Sequence, residues 1–142
     1  MSCQDQKQLV DTQTVFRYNE HANVTSLDPA FAKDQRNIWV CNLLYNGLVK
    51  LDKNLEVVAE LASHWKIDET ATIYTFYIKK GIYFNDAFAK ARTITAKDFK
   101  FSLERLSDPE LASPGAWVMS NVDHIKAIAP LQLQITLKRP FP

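Results

Sequence analysis

The chain has 142 residues, a length typical of one domain, and 46% of them are hydrophobic. Charged residues make up 23%, and 17 Lys and Arg balance 16 Asp and Glu to a formal net charge of +1. This composition excludes a disordered tail or a disulfide-dense mini-protein, and it lacks the positive excess typical of nucleic-acid-binding proteins. No apolar stretch approaches the roughly 20 residues of a membrane-spanning helix.

The first element in chain order is a polar stretch, residues 1–13, which is predicted to be a flexible tail. Cys3 in this tail has two open interpretations. It is either a free thiol at a frayed terminus or a lipid-attachment cysteine left by removal of a signal peptide. Cys41 lies in an apolar run and is predicted to be a buried, inert thiol. The spacing gives no support to a disulfide between the two.

The first half of the chain alternates between extended and helical patterns. Residues 14–18 predict a short strand, and the Asn-, Ser- and Pro-containing residues 19–29 predict a loop. Apolar residues at helical spacing predict a helix over about residues 33–45, with Asp34 as its N-cap. Gly47 is expected to end this helix in a left-handed conformation. A brief strand is predicted over residues 48–51.

The second half predicts a hairpin, a helix and a closing pair of strands. Strands are predicted at residues 65–67 and 73–78, joined by a polar turn that makes them antiparallel. Thr95 and Asp98 resemble a capping box at the start of a helix that stops before Pro109. The last strands are predicted at residues 122–128 and 131–138. Leu133, Ile135 and Leu137 of the latter should point to the core, opposite a wet face. The fold class is therefore α+β, with a mainly antiparallel sheet and two principal helices.

Residues that carry catalytic or metal chemistry are scattered along the sequence. His21, His64 and His124 have no ligand-type neighbours at metal-binding spacing, and no Ser or Cys lies in a nucleophile motif. We therefore predict that the chain is not an enzyme. We also expect no metal site, no cofactor and no nucleic-acid partner.

An ordered set of motifs identifies a family. The motifs are a Ser-Leu-Asp-Pro turn at residues 26–29, LLYNGLVK at 43–50, LASHWKI at 61–67, YTFYIKKGIYFND at 74–86, TAKDFKFSLERL at 95–106 and ITLKRPFP at 135–142. Each motif alone is weak. In this order and at this spacing, over nearly the whole chain, they resemble the N-terminal part of the family 5 extracellular solute-binding proteins of ABC importers.

This resemblance implies a bilobed fold of the type II periplasmic-binding-protein kind, in which the ligand is enclosed between two lobes. Residues 14–30 would supply the first strand and loop of the main ligand-binding lobe, and residues 31–142 an accessory α/β subdomain. Because residues 139–142 lie inside a family motif, the chain is expected to be an N-terminal fragment. An apolar face should then be exposed where the rest would pack.

The implied function is capture of peptides outside the cytoplasmic membrane and their delivery to ABC permease subunits. The implied location is periplasmic or cell-surface, with the membrane reached only through a lipid anchor on Cys3. The alternative is a truncated domain that binds no solute and acts at most as a protein-interaction module. The ligand could also be a dipeptide, a nickel chelate or a sugar, because residues elsewhere in the family fold set this choice.

The resemblance also implies which residues approach the ligand. Lys33, Asp34 and Gln35 follow the Ser-Leu-Asp-Pro turn, although a solvated helix start explains their polarity equally well. Gly115 stands where some members have a ligand-facing Tyr, and Trp117 is the candidate substitute. A place for Trp117 in the core is the competing interpretation.

Overall fold

The computed structural model describes residues 17–20, 23–85 and 92–141. Within these ranges the α-helices are α1 (Gln35–Leu44) and α2 (Ala96–Glu104). The strands there are β1 (Val49–Leu51), β2 (Val57–Ala59), β3 (Ala62–Ile67), β4 (Ile73–Ile78), β5 (Val122–Ala129) and β6 (Gln132–Leu137). Short 3-10 helices occupy Pro29–Phe31, Arg105–Ser107 and Ala116–Asn121. Within the described ranges, no helix is both long enough and apolar enough to cross a membrane.

All the strand pairs are antiparallel, which confirms the predicted fold class. Strands β3, β4, β6 and β5 form a four-stranded sheet in that order, and β1 and β2 form a separate two-stranded ribbon. The predicted hairpin joins β3 to β4. The Asp68 carboxylate shapes its turn by accepting the backbone N–H groups of Thr72 and Ile73 at 2.9 and 2.7 Å. Such local bonding is the reason that Asp is favoured in turns.

The core lies between α2 and one face of the four-stranded sheet. Leu133 and Ala96 are fully buried, and Ile78 and Ile125 are each 5% exposed. Of the three side chains that the alternation of residues 131–138 predicted to face this core, Leu133 and Ile135 do so, whereas Leu137 is outside the core cluster. The opposite side chains of β6 are half-buried rather than wet, since β6 is a central strand with neighbours on both sides.

Helix α2 begins as the sequence predicts. A capping box joins Thr95 and Asp98, and both the backbone N–H and the hydroxyl of Thr95 donate to Asp98 Oδ2, at 2.8 and 2.9 Å. Arg92 Nη2 lies 2.8 Å from the same carboxylate. Burial raises the pKa of Asp98, but the bonds from Arg92 and Thr95 outweigh it and the pKa is lowered. The negative charge therefore remains at the positive end of the helix dipole.

Helix α1 differs from its prediction in two ways. Its end is not a left-handed Gly47, because Tyr45 caps it in an extended conformation. Gly47 is required for space instead, since a Cβ there would lie 2.8 Å from the carbonyl oxygen of Val49. The helix also buries Asn37 and Cys41, while much of its apolar surface faces outward. The exposed large side chains at this place are Ile38, Trp39, Leu43, Leu44 and Tyr45.

The strand predicted at residues 14–18 is not seen where it can be assessed. Arg17 and Tyr18 are irregular, and the remainder of the predicted strand, with the tail and Cys3, lies outside the described residues. Conversely, β2 was not predicted. Its pairing with β1 follows a tight turn in which the Asp52 carboxylate accepts the N–H groups of Asn54 and Glu56 at 2.8 and 3.0 Å.

Replacing Leu133 by Ala should destabilise the fold by about 2–5 kcal/mol, because a fully buried Leu loses its packing and leaves a cavity. The matched control is Leu51→Ala in β1, where the side chain is 60% exposed, and its cost should stay near 0.5 kcal/mol. Urea unfolding of both variants measures the difference. Equal costs would contradict the assigned core.

Candidate functional site

The predicted ligand residues lie near a junction between two distant parts of the chain. We name the contact of residues 25–37 with residues 105–117 the Asp28 junction. At its centre, Arg105 Nη2 donates to Asp28 Oδ2 at 2.7 Å, and Nη1 donates to Oδ1 at 3.2 Å. Both side chains are about one-third exposed. A bidentate pair fixes orientation as well as distance.

The Asp28 carboxylate also orders its own segment. Asp28 caps the 3-10 helix Pro29–Phe31 by accepting the N–H of Ala30 at 3.0 Å. The pKa of Asp28 is lowered, mainly because the Arg105 guanidinium donates hydrogen bonds to its carboxylate. Burial alone would raise this pKa, but its effect is smaller. The pKa of Arg105 is correspondingly raised by Asp28. The ion pair therefore holds the loop that leads to Lys33.

A buried hydrogen bond forms the second contact of the junction. The Ser113 hydroxyl, 6% exposed, donates to the carbonyl oxygen of Ala30 at 2.6 Å and accepts the N–H of Gly115 at 3.1 Å. Ala30 is three residues before Lys33, and Ser113 is four residues before Trp117. This bond thus joins the two stretches of chain that precede the candidate ligand residues.

Asn37 forms a further contact within residues 25–37, between α1 and the preceding loop. It is 1% exposed. Its Oδ1 accepts the N–H of Thr25 at 3.1 Å, and its Nδ2 donates to Thr25 Oγ1 at 2.8 Å. Beside it, the thiol of Cys41 lies 3.7 Å from the carbonyl oxygen of Leu27. Burial and the nearby Asp28 raise the pKa of this free thiol, which agrees with the predicted inert role.

The four candidate ligand residues are placed differently. Lys33 and Gln35 are exposed at the start of α1. Asp34 is the predicted N-cap, accepts the N–H of Asn37 at 3.1 Å and lies 3.5 Å from Arg36 Nε. Trp117 is 75% exposed on the 3-10 helix Ala116–Asn121, so its placement in the core is wrong.

Sequence reasoning missed the residues that build the junction. Asp28 and Arg105 are 77 positions apart, and Ser113 and Ala30 are 83 apart, so no local pattern links them. Asn37 carried a weak signal, because Asn in an apolar helix is unusual without a partner. In the part of the chain that the structure describes, no group of three His, Cys, Asp or Glu side chains could hold a metal ion.

The Asn37 contact predicts a local loss of order. Asn37→Ala should cost about 1–3 kcal/mol, because the buried Asn37 amide is removed together with its two hydrogen bonds to Thr25. The exposed Asn42 on the same helix gives the control, Asn42→Ala. Chemical unfolding gives the cost, and hydrogen exchange should accelerate at the Thr25 amide in the first variant alone. Unchanged exchange there would contradict the contact.

The ion pair predicts a pH dependence. Because the pKa of Asp28 is lower in the folded state, its contribution is complete above the unfolded value and is lost as the pH falls through the folded value. A double-mutant cycle of Asp28→Asn and Arg105→Gln should give a coupling of about 0.5–1 kcal/mol at neutral pH. Stability measured near pH 2–3 should show the coupling disappearing. A coupling independent of pH would show that packing, not charge, joins the two residues.

The family model "Bacterial extracellular solute-binding proteins, family 5 Middle" matches residues 56–142. A similar curated protein is the glutathione-binding protein GsiB of Escherichia coli (strain K12). It is 32% identical over 120 residues, which cover 84% of this chain and 23% of that protein. The probable deoxycholate-binding periplasmic protein YgiS of the same strain is 28% identical over 147 residues, covering 92% of this chain and 27% of that protein. The chain thus spans about a quarter of the length of these relatives.

A solved structure supports the same assignment. The periplasmic binding protein DppA from Helicobacter pylori, in complex with the peptide STSA, superposes with a TM-score of 0.74 and 32% identity. The matched region covers 84% of this chain and 26% of that one. The family model covers more than half of the chain, and the observed mixed fold agrees with this neighbour. The chain therefore belongs to the bacterial extracellular solute-binding proteins of family 5.

Proposed function

We propose that this chain is part of the substrate-binding component of an ABC transporter, which captures peptides outside the cytoplasmic membrane and delivers them to permease subunits. The carrying observation is the 32% identity to a relative whose structure contains a bound peptide. Relatives named for glutathione and deoxycholate define the competing ligand classes. No bond is made or broken in this function, because capture and release are changes of binding alone.

The proposed peptide contacts are Lys33, Asp34, Gln35 and Trp117. The Lys33 ammonium and the Gln35 amide supply donors for carbonyl and carboxylate oxygens, which every peptide carries. The exposed indole of Trp117 offers a flat apolar surface for a side chain, at little loss of conformational freedom. Asp34, whose carboxylate caps α1, is proposed to hold Lys33 and Gln35 in place as well as to contact the peptide.

The proposed domain division follows the same resemblance. Residues 14–30 belong to the main ligand-binding lobe, and residues 31–142 form the accessory subdomain. The Asp28–Arg105 pair and the Ser113–Ala30 bond are then the links between the two parts. Such links suit a site in which ligand groups from both parts must keep fixed positions.

Lipidation of Cys3 is proposed as the membrane attachment, at the periplasmic or cell surface. A single acyl chain anchors only marginally, so more than one chain is required on this residue. Metabolic labelling with palmitate, comparing the wild type with Cys3→Ser in the natural precursor, tests this point. Label that persists in the variant would contradict it.

The ligand class is tested by nuclear magnetic resonance titration of the isotope-labelled chain. The probes are the tetrapeptide STSA, reduced glutathione and deoxycholate. A peptide ligand should shift the amide signals of residues 33–35 together with the indole N–H signal of Trp117. A response to glutathione alone, or to deoxycholate alone, would contradict the proposed peptide ligand and would assign the site to the class of that probe.

Trp117→Ala and Lys33→Ala should each weaken STSA binding roughly tenfold, since a few anchoring side chains carry most binding energy. Both residues are exposed, so the melting temperature should stay nearly unchanged. Lys53→Ala, an exposed Lys in the β1–β2 turn, is the control. Equal loss in all three variants would indicate an effect that does not depend on these positions and would contradict the proposed contacts.

A further inference from the structure

A second surface lies on the outer side of α2. It is an open groove of about 600 Å³ between this helix and β5, and we name it the α2 groove. Its lining side chains that matter here are Lys97, Lys100, Phe101, Glu104, Lys126 and Ile128. None of the proposed peptide contacts lines it, so it is a separate surface from the candidate site.

The groove follows from the spacing of residues on α2. Lys97, Lys100, Phe101 and Glu104 stand at positions i, i+3, i+4 and i+7, which share one helix face. Phe99 and Leu103 pack against the core. Of the two Phe residues of the helix, Phe99 enters the core, whereas Phe101 remains 66% exposed, which is unusual for so large an apolar side chain.

Strand β5 supplies the second wall through an irregularity. Its pairing with β6 shifts register between Ala127 and Ala129, so Ile128 is the extra residue of a bulge. Bulges redirect side chains at sheet edges. Ile128 is 47% exposed and lines the groove together with Phe101. The two side chains form an apolar floor open to solvent.

The charge around this floor is positive. Glu104 accepts two hydrogen bonds from Lys100 Nζ, at 2.8 and 2.9 Å, and is thereby neutralised. Among the described residues, Lys97 and Lys126 have no carboxylate partner. Two unpaired cations therefore flank the apolar floor, and they favour a partner with negative charge.

The outer edge of β5 offers backbone groups beside the same groove. Strand β5 is the last strand of the four-stranded sheet, and no other described strand pairs with its free side. The register shifts at its two ends leave residues 124–127 as the regularly paired stretch. A partner strand added here would therefore be short.

We propose that the α2 groove binds a short, extended, acidic segment of a partner protein. The segment pairs with the edge of β5, places an apolar side chain on Phe101 and Ile128, and sets carboxylates near Lys97 and Lys126. An anionic membrane surface would also meet the Lys side chains. A lipid surface has no peptide groups to pair with the backbone of a strand edge, so the structure favours the protein segment.

The test titrates the labelled chain with the heptapeptide Glu-Val-Glu-Phe-Glu-Val-Glu at low ionic strength. The amide signals of α2 and β5 should shift, and added salt should weaken binding because the Lys charges are exposed. The peptide Lys-Val-Lys-Phe-Lys-Val-Lys has the same apolar residues and the opposite charge, so it controls for nonspecific hydrophobic binding. Equal binding of the basic peptide, or shifts confined to other elements, would overturn the proposal.

Two charge-matched double variants locate the site. Lys97→Glu with Lys126→Glu should weaken binding of the acidic peptide roughly tenfold. Lys53→Glu with Lys66→Glu changes the net charge equally, on the β1–β2 turn and the opposite edge strand β3, and should leave binding within about twofold. All four side chains are exposed, so both variants should fold. Equal losses in the two would overturn the site.

A third variant and a lipid probe complete the test. Phe101→Ala should weaken binding of the acidic peptide roughly fivefold. The melting temperature should not fall, because the ring is mostly exposed to solvent. Vesicles of phosphatidylglycerol and phosphatidylcholine in equal parts provide the membrane comparison. If the chain sediments with these vesicles and fails to bind the acidic peptide, the surface is a membrane contact and the proposal is wrong.

Discussion

A helix packed on one face of a small sheet is the constraint from which the rest of this structure follows. The core cluster of Ile78, Ala96, Ile125 and Leu133 lies between α2 and the four-stranded sheet. Burial of apolar surface there supplies the dominant stabilising free energy. The segment of residues 23–34 and helix α1 make little use of this core. Directional polar contacts must therefore hold them in place.

Those polar contacts are spaced along the segment rather than gathered at one point. Asn37 holds Thr25, Arg105 holds Asp28, and Ser113 holds Ala30. The first of these bonds joins α1 to the loop before it. The other two join that loop to residues 105–113. A loop fixed at three successive points loses most of its freedom before any ligand arrives. Preorganisation of this kind reduces the entropy that binding must overcome.

The sequence predicted the local features and missed the distant ones. The capping box at Thr95, the hairpin at Asp68 and the alternation around Leu133 depend on residues close in sequence, and the structure confirms all three. The outward apolar face of α1 could not be predicted, because helical spacing gives a stripe without saying what covers it. The Asp28–Arg105 pair could not be predicted either, because these two residues are 77 positions apart in the sequence.

The candidate site shows the same division. Asp34 was correctly predicted as a helix cap, because capping is a local rule. Whether Trp117 is buried or exposed depends on how the 3-10 helix Ala116–Asn121 meets the rest of the molecule, and spacing does not decide this. The family resemblance supplied the position of Trp117, and the fold supplied its exposure. Resemblance and geometry thus contribute different halves of the proposal.

Helix α2 makes contacts of two unlike kinds, and its sequence separates them. Its inner face supplies Phe99 and Leu103 to the core, while its last turn leads directly to Arg105 and the Asp28 junction. Its outer face carries the exposed Phe101 on the same side as Lys97 and Lys100. A substitution on the inner face would disturb the fold and the junction together. The outer face is free to change without that cost, so an exposed Phe there is better explained by a contact outside the core than by the stability of the helix.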